Sequence, residues 1–163
     1  MRTPLFAATF SLLLAGTAPV SFAQAPAPTR TAASAATWNT TLDAALQQAK
    51  ATGHPVLAVF SGSDWCKPCI MLKQEVFDKP EFEQYAQDKL VLVRFDFPRS
   101  KKNKLPAEQT KLNEQAAAKL NKEGSFPLVV LLSPEGKVLA KTGYRPGGAT
   151  AYTTYLNTLL AQK

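Results

Sequence analysis

Two cysteines that lie two residues apart constrain this chain more than any other feature. Cys66 and Cys69 enclose Lys67 and Pro68, and they are the only two cysteines in the 163 residues. The pair follows an apolar run and a short polar turn, and it precedes a segment with helical spacing. The fold must therefore join a strand, a turn and a helix here, with the cysteines at the beginning of the helix.

Three kinds of site can contain two cysteines at this spacing. A zinc site takes about four protein ligands, whereas this chain offers His54 as its single histidine beside the cysteine pair. A purely structural disulfide suits an exported protein, but so short a loop restricts the unfolded chain little. The third kind is a redox-active disulfide, which the position before a helix favours.

A redox-active pair needs one cysteine that loses its proton readily, because the thiolate is the attacking species in disulfide exchange. Cys66 is predicted to lie at the helix N-terminus, where unpaired N–H groups and the helix dipole stabilise a thiolate. Lys67 adds a positive charge nearby, and Pro68 is tolerated because the first turn needs no intrahelical N–H partner. We therefore expect Cys66 to be the nucleophile and Cys69, one turn later, to be the resolving cysteine.

The first residues have the pattern of a secretory signal peptide. A basic start at Arg2 precedes an apolar stretch, and Ala23 ends a segment with the small residues that a signal peptidase recognises. The apolar stretch is short for a membrane span of about 20 residues. We expect residues 1–23 to be removed on export, with no stable membrane insertion afterwards. The Ala- and Pro-rich residues 24–37 predict a flexible tether, which leaves 38–163 as the folded domain.

The domain alternates helical and strand patterns. Helices are predicted where apolar residues recur every three or four positions, and strands where short apolar runs are bounded by turn residues. Strands separated by helices imply parallel neighbours, and a turn at 133–136 implies an antiparallel hairpin. We expect an α/β fold with a central mixed sheet and helices on both faces. The predicted order is a helix before Gly53, a strand over 55–60, helices over 66–77 and 80–89, a strand over 90–97, a helix over 107–121, strands over 127–132 and 137–142, and a last helix that contains Tyr152 and Leu160.

Four motifs resemble those of the thioredoxin superfamily, and most closely those of exported bacterial thioredoxin-like thiol-disulfide oxidoreductases. SGSDWCKPC at 61–69 follows a predicted buried strand, and EVF follows at 75–77. GSFP at 124–127 precedes an apolar strand, and GYRPGG lies at 143–148. The resemblance covers about 38–160. It implies a thioredoxin-like fold in which the cysteine pair itself is the redox group, with no other cofactor and no metal.

The resemblance also implies roles for residues around the cysteines. Pro127 would form a cis peptide bond beside the disulfide, so that the backbone of Phe126 faces an incoming client chain as a neighbouring strand would. Trp65 would flank the nucleophile and form part of the same docking surface. Asp64 would either tune the cysteine or face solvent.

One position departs from the pattern of many thioredoxins, which have a buried acid six residues before the nucleophile. Here that position is Phe60. The acid is held to help deprotonate the resolving cysteine. This chain is therefore expected to manage without it, to use water, or to recruit another carboxylate such as Glu75.

The residues between the cysteines bear on the direction of electron flow. Strongly oxidising family members typically have a histidine there, whereas Pro68 resembles the reducing thioredoxins. Lys67 acts modestly in the opposite sense, because a positive charge stabilises the reduced thiolate. We expect a reductase or exchange protein of the bacterial periplasm, which acts on thiol- or disulfide-containing client proteins and receives electrons from a membrane donor.

A non-catalytic module is the alternative function, because a dithiol could hold a thiol-containing client or copper(I), an ion that soft thiolates suit. Related copper-handling folds add a histidine downstream, but His54 precedes the first predicted strand. A Cys69→Ser variant separates the two functions, since only an enzyme should accumulate mixed disulfides through Cys66.

The net charge of +7 raises the question of nucleic-acid binding. Four cations cluster within 99–104, which is too short a basic run to predict such a partner, and export removes most of the opportunity. We therefore expect no nucleic-acid partner. The surplus instead favours acidic clients or an anionic membrane surface.

Overall fold

The structure is a computed structural model that describes residues 36–162. The predicted signal peptide over 1–23 lies outside the described residues. So does the predicted tether over 24–37, apart from its last two residues.

Residues 36–162 form five strands and five α-helices around one sheet. The strands are β1 (Trp38–Asn39), β2 (Val56–Ser61), β3 (Val91–Asp96), β4 (Leu128–Leu132) and β5 (Val138–Thr142). The helices are α1 (Leu42–Thr52), α2 (Lys67–Leu72), α3 (Pro80–Lys89), α4 (Ala107–Leu120) and α5 (Gly148–Ala161). A π-helical segment (Lys73–Phe77) continues α2, and a 3₁₀ turn (Lys101–Asn103) lies between β3 and α4.

The sheet has the strand order β1-β3-β2-β4-β5 and is mixed, as predicted. Strand β3 lies parallel to β1 and to β2, whereas β4 lies antiparallel to β2 and to β5. The β4–β5 hairpin closes through a turn in which the Gly136 N–H donates to the Ser133 carbonyl at 2.8 Å. Strand β1 was not predicted, because two residues are too few to show an alternating pattern.

Helices cover both faces of the sheet, which confirms the predicted α/β class. Alternate residues of the fully buried strand β2 point to opposite faces, so the strand contributes to two hydrophobic clusters. Leu57 and Val59 pack with residues of α2, the π-helical segment, α3 and α5. Ala58 and Phe60 pack with residues of α1 and α4 on the other face.

The parallel pairing of β2 and β3 determines where the cysteines lie. Ser61 and Asp96 are register partners at the carboxyl ends of these strands. The turn over 62–65 and the loop over 97–106 therefore leave the sheet at the same edge. The predicted helix over 66–77 begins at this edge, but it is α-helical only to Leu72 and π-helical from Lys73 onward.

Candidate active site

The two cysteines form a disulfide at the start of α2, as predicted. Cys66 is the N-cap residue of the helix, and Cys69 lies in its first turn. The sulfur atoms are 2.02 Å apart and the Cα atoms 5.2 Å apart. The N–H of Cys69 donates to Cys66 Sγ at 3.3 Å, so a helix N-terminal donor already points at this sulfur.

The disulfide is buried, while the two residues inside the motif are exposed. Cys66 is 4% exposed and Cys69 is 3% exposed, whereas Lys67 and Pro68 face solvent. The proline occupies one of the first two helical positions, where a missing N–H costs no intrahelical hydrogen bond. A client must therefore approach the sulfur atoms across the residues that border them.

Trp65 borders the disulfide, and its side chain is fixed by several contacts. The indole N–H donates to the Phe97 carbonyl at 2.7 Å. The ring meets the Phe126 ring edge to face at a centroid distance of 5.4 Å, and the Arg99 guanidinium lies 3.7 Å from the indole centroid. A Cβ atom at Gly62 would lie 2.5 Å from the indole Nε1, so position 62 must lack a side chain.

Phe126 and Pro127 come from the segment before β4, and their peptide bond is cis, as the resemblance implied. The Phe126 ring contacts the rings of both Trp65 and Phe97, each at a centroid distance of 5.4 Å. A Cβ atom at Gly143 would lie 3.1 Å from the Pro127 carbonyl, so the GYRPGG segment approaches this proline closely. The structure thus brings Trp65 and Phe126 into one surface.

Asp64 fastens the loop over 97–106 to the active-site turn, a contact that sequence reasoning missed. Its carboxylate accepts hydrogen bonds from the N–H groups of Arg99 and Ser100, both at 2.9 Å, and from Asn103 Nδ2 at 3.0 Å. The Arg99 N–H above all holds the pKa of the Asp64 carboxyl below its usual value of 3.8. Because the partners lie 35 to 39 residues away, no local pattern in the sequence indicates them.

A second carboxylate, Asp96, also holds the active-site turn. It accepts hydrogen bonds from the Ser63 N–H at 2.9 Å and from the Ser63 hydroxyl at 2.6 Å. Its own carbonyl accepts from Asn113 Nδ2 at 2.8 Å, which links the end of β3 to α4. The sequence singled out neither Asp96 nor Asn113, although a polar residue at the end of a buried strand is a weak signal.

Three positions bear on how Cys69 could lose its proton. Phe60 packs against Phe95 in the cluster that contains residues of α1 and α4. Glu75 accepts a hydrogen bond from the Tyr144 hydroxyl at 2.6 Å, which raises the pKa of Tyr144. Asp96, by contrast, lines a cavity of about 540 Å³ together with Cys69.

No group of three or more potential metal ligands occurs within residues 36–162. None of the helices in this same range is both long enough and apolar enough to cross a membrane.

Comparisons with known proteins agree with this architecture. Residues 37–134 match the thioredoxin-like family. The chain is 37% identical over 116 residues to a protein of Chlamydia pneumoniae named disulfide bond reductase DsbH, a match that covers 71% of this chain and 68% of the relative. It is 32% identical over 106 residues to thioredoxin-related protein DsbJ of the same organism, which covers 65% of this chain but only 30% of that protein.

Solved structures show the same fold. A structure named DsbH oxidoreductase superposes with a TM-score of 0.73 at 33% identity, covering 87% of this chain and 94% of the other. The C-terminal domain of DsbD from Neisseria meningitidis superposes with a TM-score of 0.51 at 21% identity, covering 72% and 92% of the two chains, which supports the fold alone. The chain belongs to the thioredoxin-like family and is a thiol-disulfide oxidoreductase whose redox group is the Cys66–Cys69 disulfide.

Proposed function

We propose that this protein reduces or exchanges disulfides in exported client proteins, with Cys66 as the nucleophile and Cys69 as the resolving cysteine. The observation that carries the proposal is the disulfide between the N-cap residue and the first turn of α2. A disulfide between residues 66 and 69 closes too short a loop to be explained by stability. Its position at a helix N-terminus instead suits a cysteine that must leave and attack as a thiolate.

Reduction of a client then proceeds in two exchange steps. The Cys66 thiolate attacks one sulfur of the client disulfide, so that the client S–S bond breaks, a mixed disulfide forms and one client thiolate leaves. Cys69 loses its proton and attacks Cys66 Sγ, which releases the second client thiolate and forms the Cys66–Cys69 disulfide. Two electrons have passed to the client, and an external dithiol reductant must return the protein to its reduced form.

The choice of Cys66 as nucleophile rests on its surroundings, because the two cysteines are almost equally buried. Cys66 Sγ already accepts the N–H of Cys69, and the same donor can stabilise a thiolate at this position. Lys67 is exposed and adjacent, so its charge favours the thiolate in the same direction. Pro68 keeps its predicted role of tuning the potential of the pair.

The client is proposed to dock on the surface around Trp65, Phe126 and Pro127. Trp65 directly precedes the nucleophile, and its ring is in contact with that of Phe126. The Phe126 backbone leads into the cis proline at the start of β4, where an extended client segment can pair with it as a strand does. Asp64 supports this surface through the loop that it fastens, and its predicted tuning of the cysteines stays a prediction.

Deprotonation of Cys69 is proposed to use the cavity that this residue lines. Strand β2 presents Leu57 and Val59, and no acid, to the face covered by α2. Water in the polar cavity can take the proton, and Asp96 is a carboxylate on its wall. This route replaces the buried acid that many thioredoxins have on the preceding strand.

Electron flow is proposed to run from a membrane electron donor through this protein to clients in the bacterial periplasm. A proline before the second cysteine and the lack of a histidine between the cysteines support reduction over oxidation. The DsbH relative is named a disulfide bond reductase, which supports the same direction. The signal-peptide pattern before Ala23 supports export.

The decisive experiment traps the client. A Cys69→Ser variant should accumulate covalent complexes with client proteins through Cys66, identified by mass and released by a reductant. A Cys66→Ser/Cys69→Ser variant is the control and should trap nothing. If Cys69→Ser traps no client, the protein is a binding module of the thiol-client or copper(I) type rather than an oxidoreductase of clients.

A redox titration tests the direction of electron flow. Equilibration of the Cys66–Cys69 pair with glutathione should give a midpoint potential well below the value of about −120 mV that marks strong oxidants. A midpoint near that value would contradict the reductase assignment while leaving the exchange chemistry intact.

A further inference from the structure

A groove beside the disulfide has a floor of aromatic rings and a positively charged rim. The groove encloses about 530 Å³, and we call it the aromatic groove. Among the residues that line it, we call the rings of Trp65, Phe97 and Phe126 its floor and the side chains of Arg99 and Lys104 its rim; Asp96 lines the groove as well. We propose that this groove binds the part of the client that lies next to the reacting cysteine, and that it selects segments in which an apolar side chain is accompanied by an acidic one. The inference rests on the proposed reduction of client disulfides and adds the class of segment that is preferred.

The floor suits an apolar side chain. The rings of Trp65 and Phe97 both meet the ring of Phe126 edge to face, so the three form one continuous apolar surface. All three side chains are only partly buried, so each leaves part of its apolar surface exposed. The indole N–H is already paired with the Phe97 carbonyl, which leaves the exposed part of Trp65 apolar.

The rim suits an acidic side chain. Arg99 lies over the indole of Trp65, where its guanidinium is 3.7 Å from the ring centroid. Within residues 36–162 neither Arg99 nor Lys104 forms a salt bridge with a carboxylate. Both charges are therefore available to a client, and a carboxylate above the apolar floor would meet them directly.

Two carboxylates lie in this neighbourhood, and both accept their hydrogen bonds from groups other than the cationic ends of Arg99 and Lys104. Asp64 accepts the N–H groups of Arg99 and Ser100 rather than pairing with the guanidinium. Asp96 accepts both donors of Ser63. Because Asp96 also lines the groove, the lining side chains carry two positive charges and one negative charge, which leaves a positive surplus for a client carboxylate.

The occupant is a client segment rather than a membrane surface. The groove is concave and is lined by Trp65, which directly precedes Cys66. Residues next to a client cysteine that is disulfide-bonded to Cys66 can therefore reach the groove. An extended chain advances about 3.3 Å per residue, so the residues nearest the client cysteine are the ones that can contact a groove lined by Trp65.

The test uses four model peptides whose single cysteine carries a thionitrobenzoate group. The peptides combine leucine or serine with glutamate or glutamine within three residues of the cysteine. The pre-reduced full chain attacks the peptide sulfur through Cys66, which releases the coloured thionitrobenzoate anion, and Cys69 then releases the peptide thiol. The second-order rate constant is measured for each peptide at low salt and at high salt.

The leucine–glutamate peptide should react about five-fold faster than the leucine–glutamine peptide at low salt, and the ratio should approach one at high salt. Leucine should likewise exceed serine. The ratio of acidic to neutral peptide should fall to about one in the Arg99→Gln/Lys104→Gln variant. A Lys101→Gln/Lys102→Gln variant is the matched control, because these lysines lie in the same loop but do not line the groove. It should keep most of the preference.

The outcomes separate this inference from the proposed function. Equal rate constants for acidic and neutral peptides in the unmodified chain would overturn the inference, even with rapid reduction. So would a preference that survives in Arg99→Gln/Lys104→Gln, or one that disappears equally in the lysine control. Binding of the chain to anionic lipid vesicles through Arg99 and Lys104, without a peptide preference, would assign the rim to a membrane and overturn it as well. Failure to react with any peptide disulfide would instead contradict the proposed function.

Discussion

The indole of Trp65 lies directly against the backbone of Gly62, and this contact determines the shape of the surface beside Cys66. A Cβ atom at position 62 would lie 2.5 Å from the indole Nε1, and the ring that it would meet is the bulky end of a well-packed side chain. A Gly62→Ala substitution should therefore displace the indole from Phe97 and Phe126. We expect a loss of about 1–3 kcal/mol in the free energy of unfolding, typical of overpacking, together with slower client reduction. Denaturant titration followed by tryptophan fluorescence measures the change in stability, and the rate of peptide-disulfide reduction measures the second effect.

The control for this prediction is a double-mutant cycle. If the clash with the indole causes the loss, Gly62→Ala should cost little in a Trp65→Ala background, since the colliding ring is then absent. Additive effects of the two substitutions would show that Gly62 matters for its backbone alone.

Residues that interact within a short stretch of chain could be predicted, whereas those with distant partners could not. The spacing of Cys66 and Cys69 before a helix was sufficient to predict their disulfide. The role of Asp64 was not predictable, because its donors lie on a loop that reaches it only when β2 and β3 pair. The same holds for Asp96, whose side chain holds Ser63 across 33 residues.

At the scale of elements, the Asp64 carboxylate accepts three of the hydrogen bonds that fasten the loop over 97–106 to the active-site turn. Because the folded-state pKa of Asp64 lies below its usual value of 3.8, the ionised carboxylate stabilises the fold above about pH 4, and this contribution is lost as the pH falls through the folded-state pKa. Asp64→Asn should thus lower stability at neutral pH, and the difference from the unmodified chain should shrink in acid. Trypsin should also cleave within 99–104 faster in the variant, because the loop there contains four basic residues.

Glu123→Gln is the control for the loop. The pKa of Glu123 is also lowered, chiefly by a hydrogen bond from its own backbone N–H. Glu123 takes no part in the hydrogen bonds that join Asp64 to the loop. Its substitution should leave trypsin cleavage within 99–104 unchanged. Equal cleavage rates in Asp64→Asn and the unmodified chain would show that other contacts hold the loop.

Elements with a clear hydrophobic period were predicted, and those that depend on their neighbours were not. Helix α1 ends at Gly53, whose φ of 75° is in the left-handed region, and the sequence indicated this stop. The antiparallel pairing of β4 with β2 depends on how the chain crosses the sheet, which periodicity does not encode. The π-helical segment after Leu72 also has the same apolar residues that an α-helix would have, so the sequence pattern could not distinguish the two.

At the scale of the whole molecule, the net charge of +7 is unevenly placed with respect to the active site. Two of the four cations within 99–104 line the aromatic groove, while Lys101 and Lys102 do not. The total charge alone could not show this division. The loop over 97–106 lies beside Trp65 only because β3 pairs with β2. The composition suggested a general attraction to acidic partners, and the proposed preference assigns that attraction to Arg99 and Lys104 at the aromatic groove.

The sequence predicts a flexible tether over 24–37, and the sheet, the two hydrophobic clusters and the disulfide that the structure describes are built from residues of 36–162. A chain that begins at Gln24 and one that begins at Ala36 should therefore unfold at the same temperature and reduce peptide disulfides at the same rate.

When the full chain is expressed in a Gram-negative bacterium, the periplasmic fraction should contain a form whose mass corresponds to cleavage after Ala23. An Ala23→Arg variant should block that cleavage, because a signal peptidase requires a small residue there. Recovery of the unmodified chain uncleaved and in the cytoplasm would contradict export, and with it the proposed supply of electrons from a membrane donor.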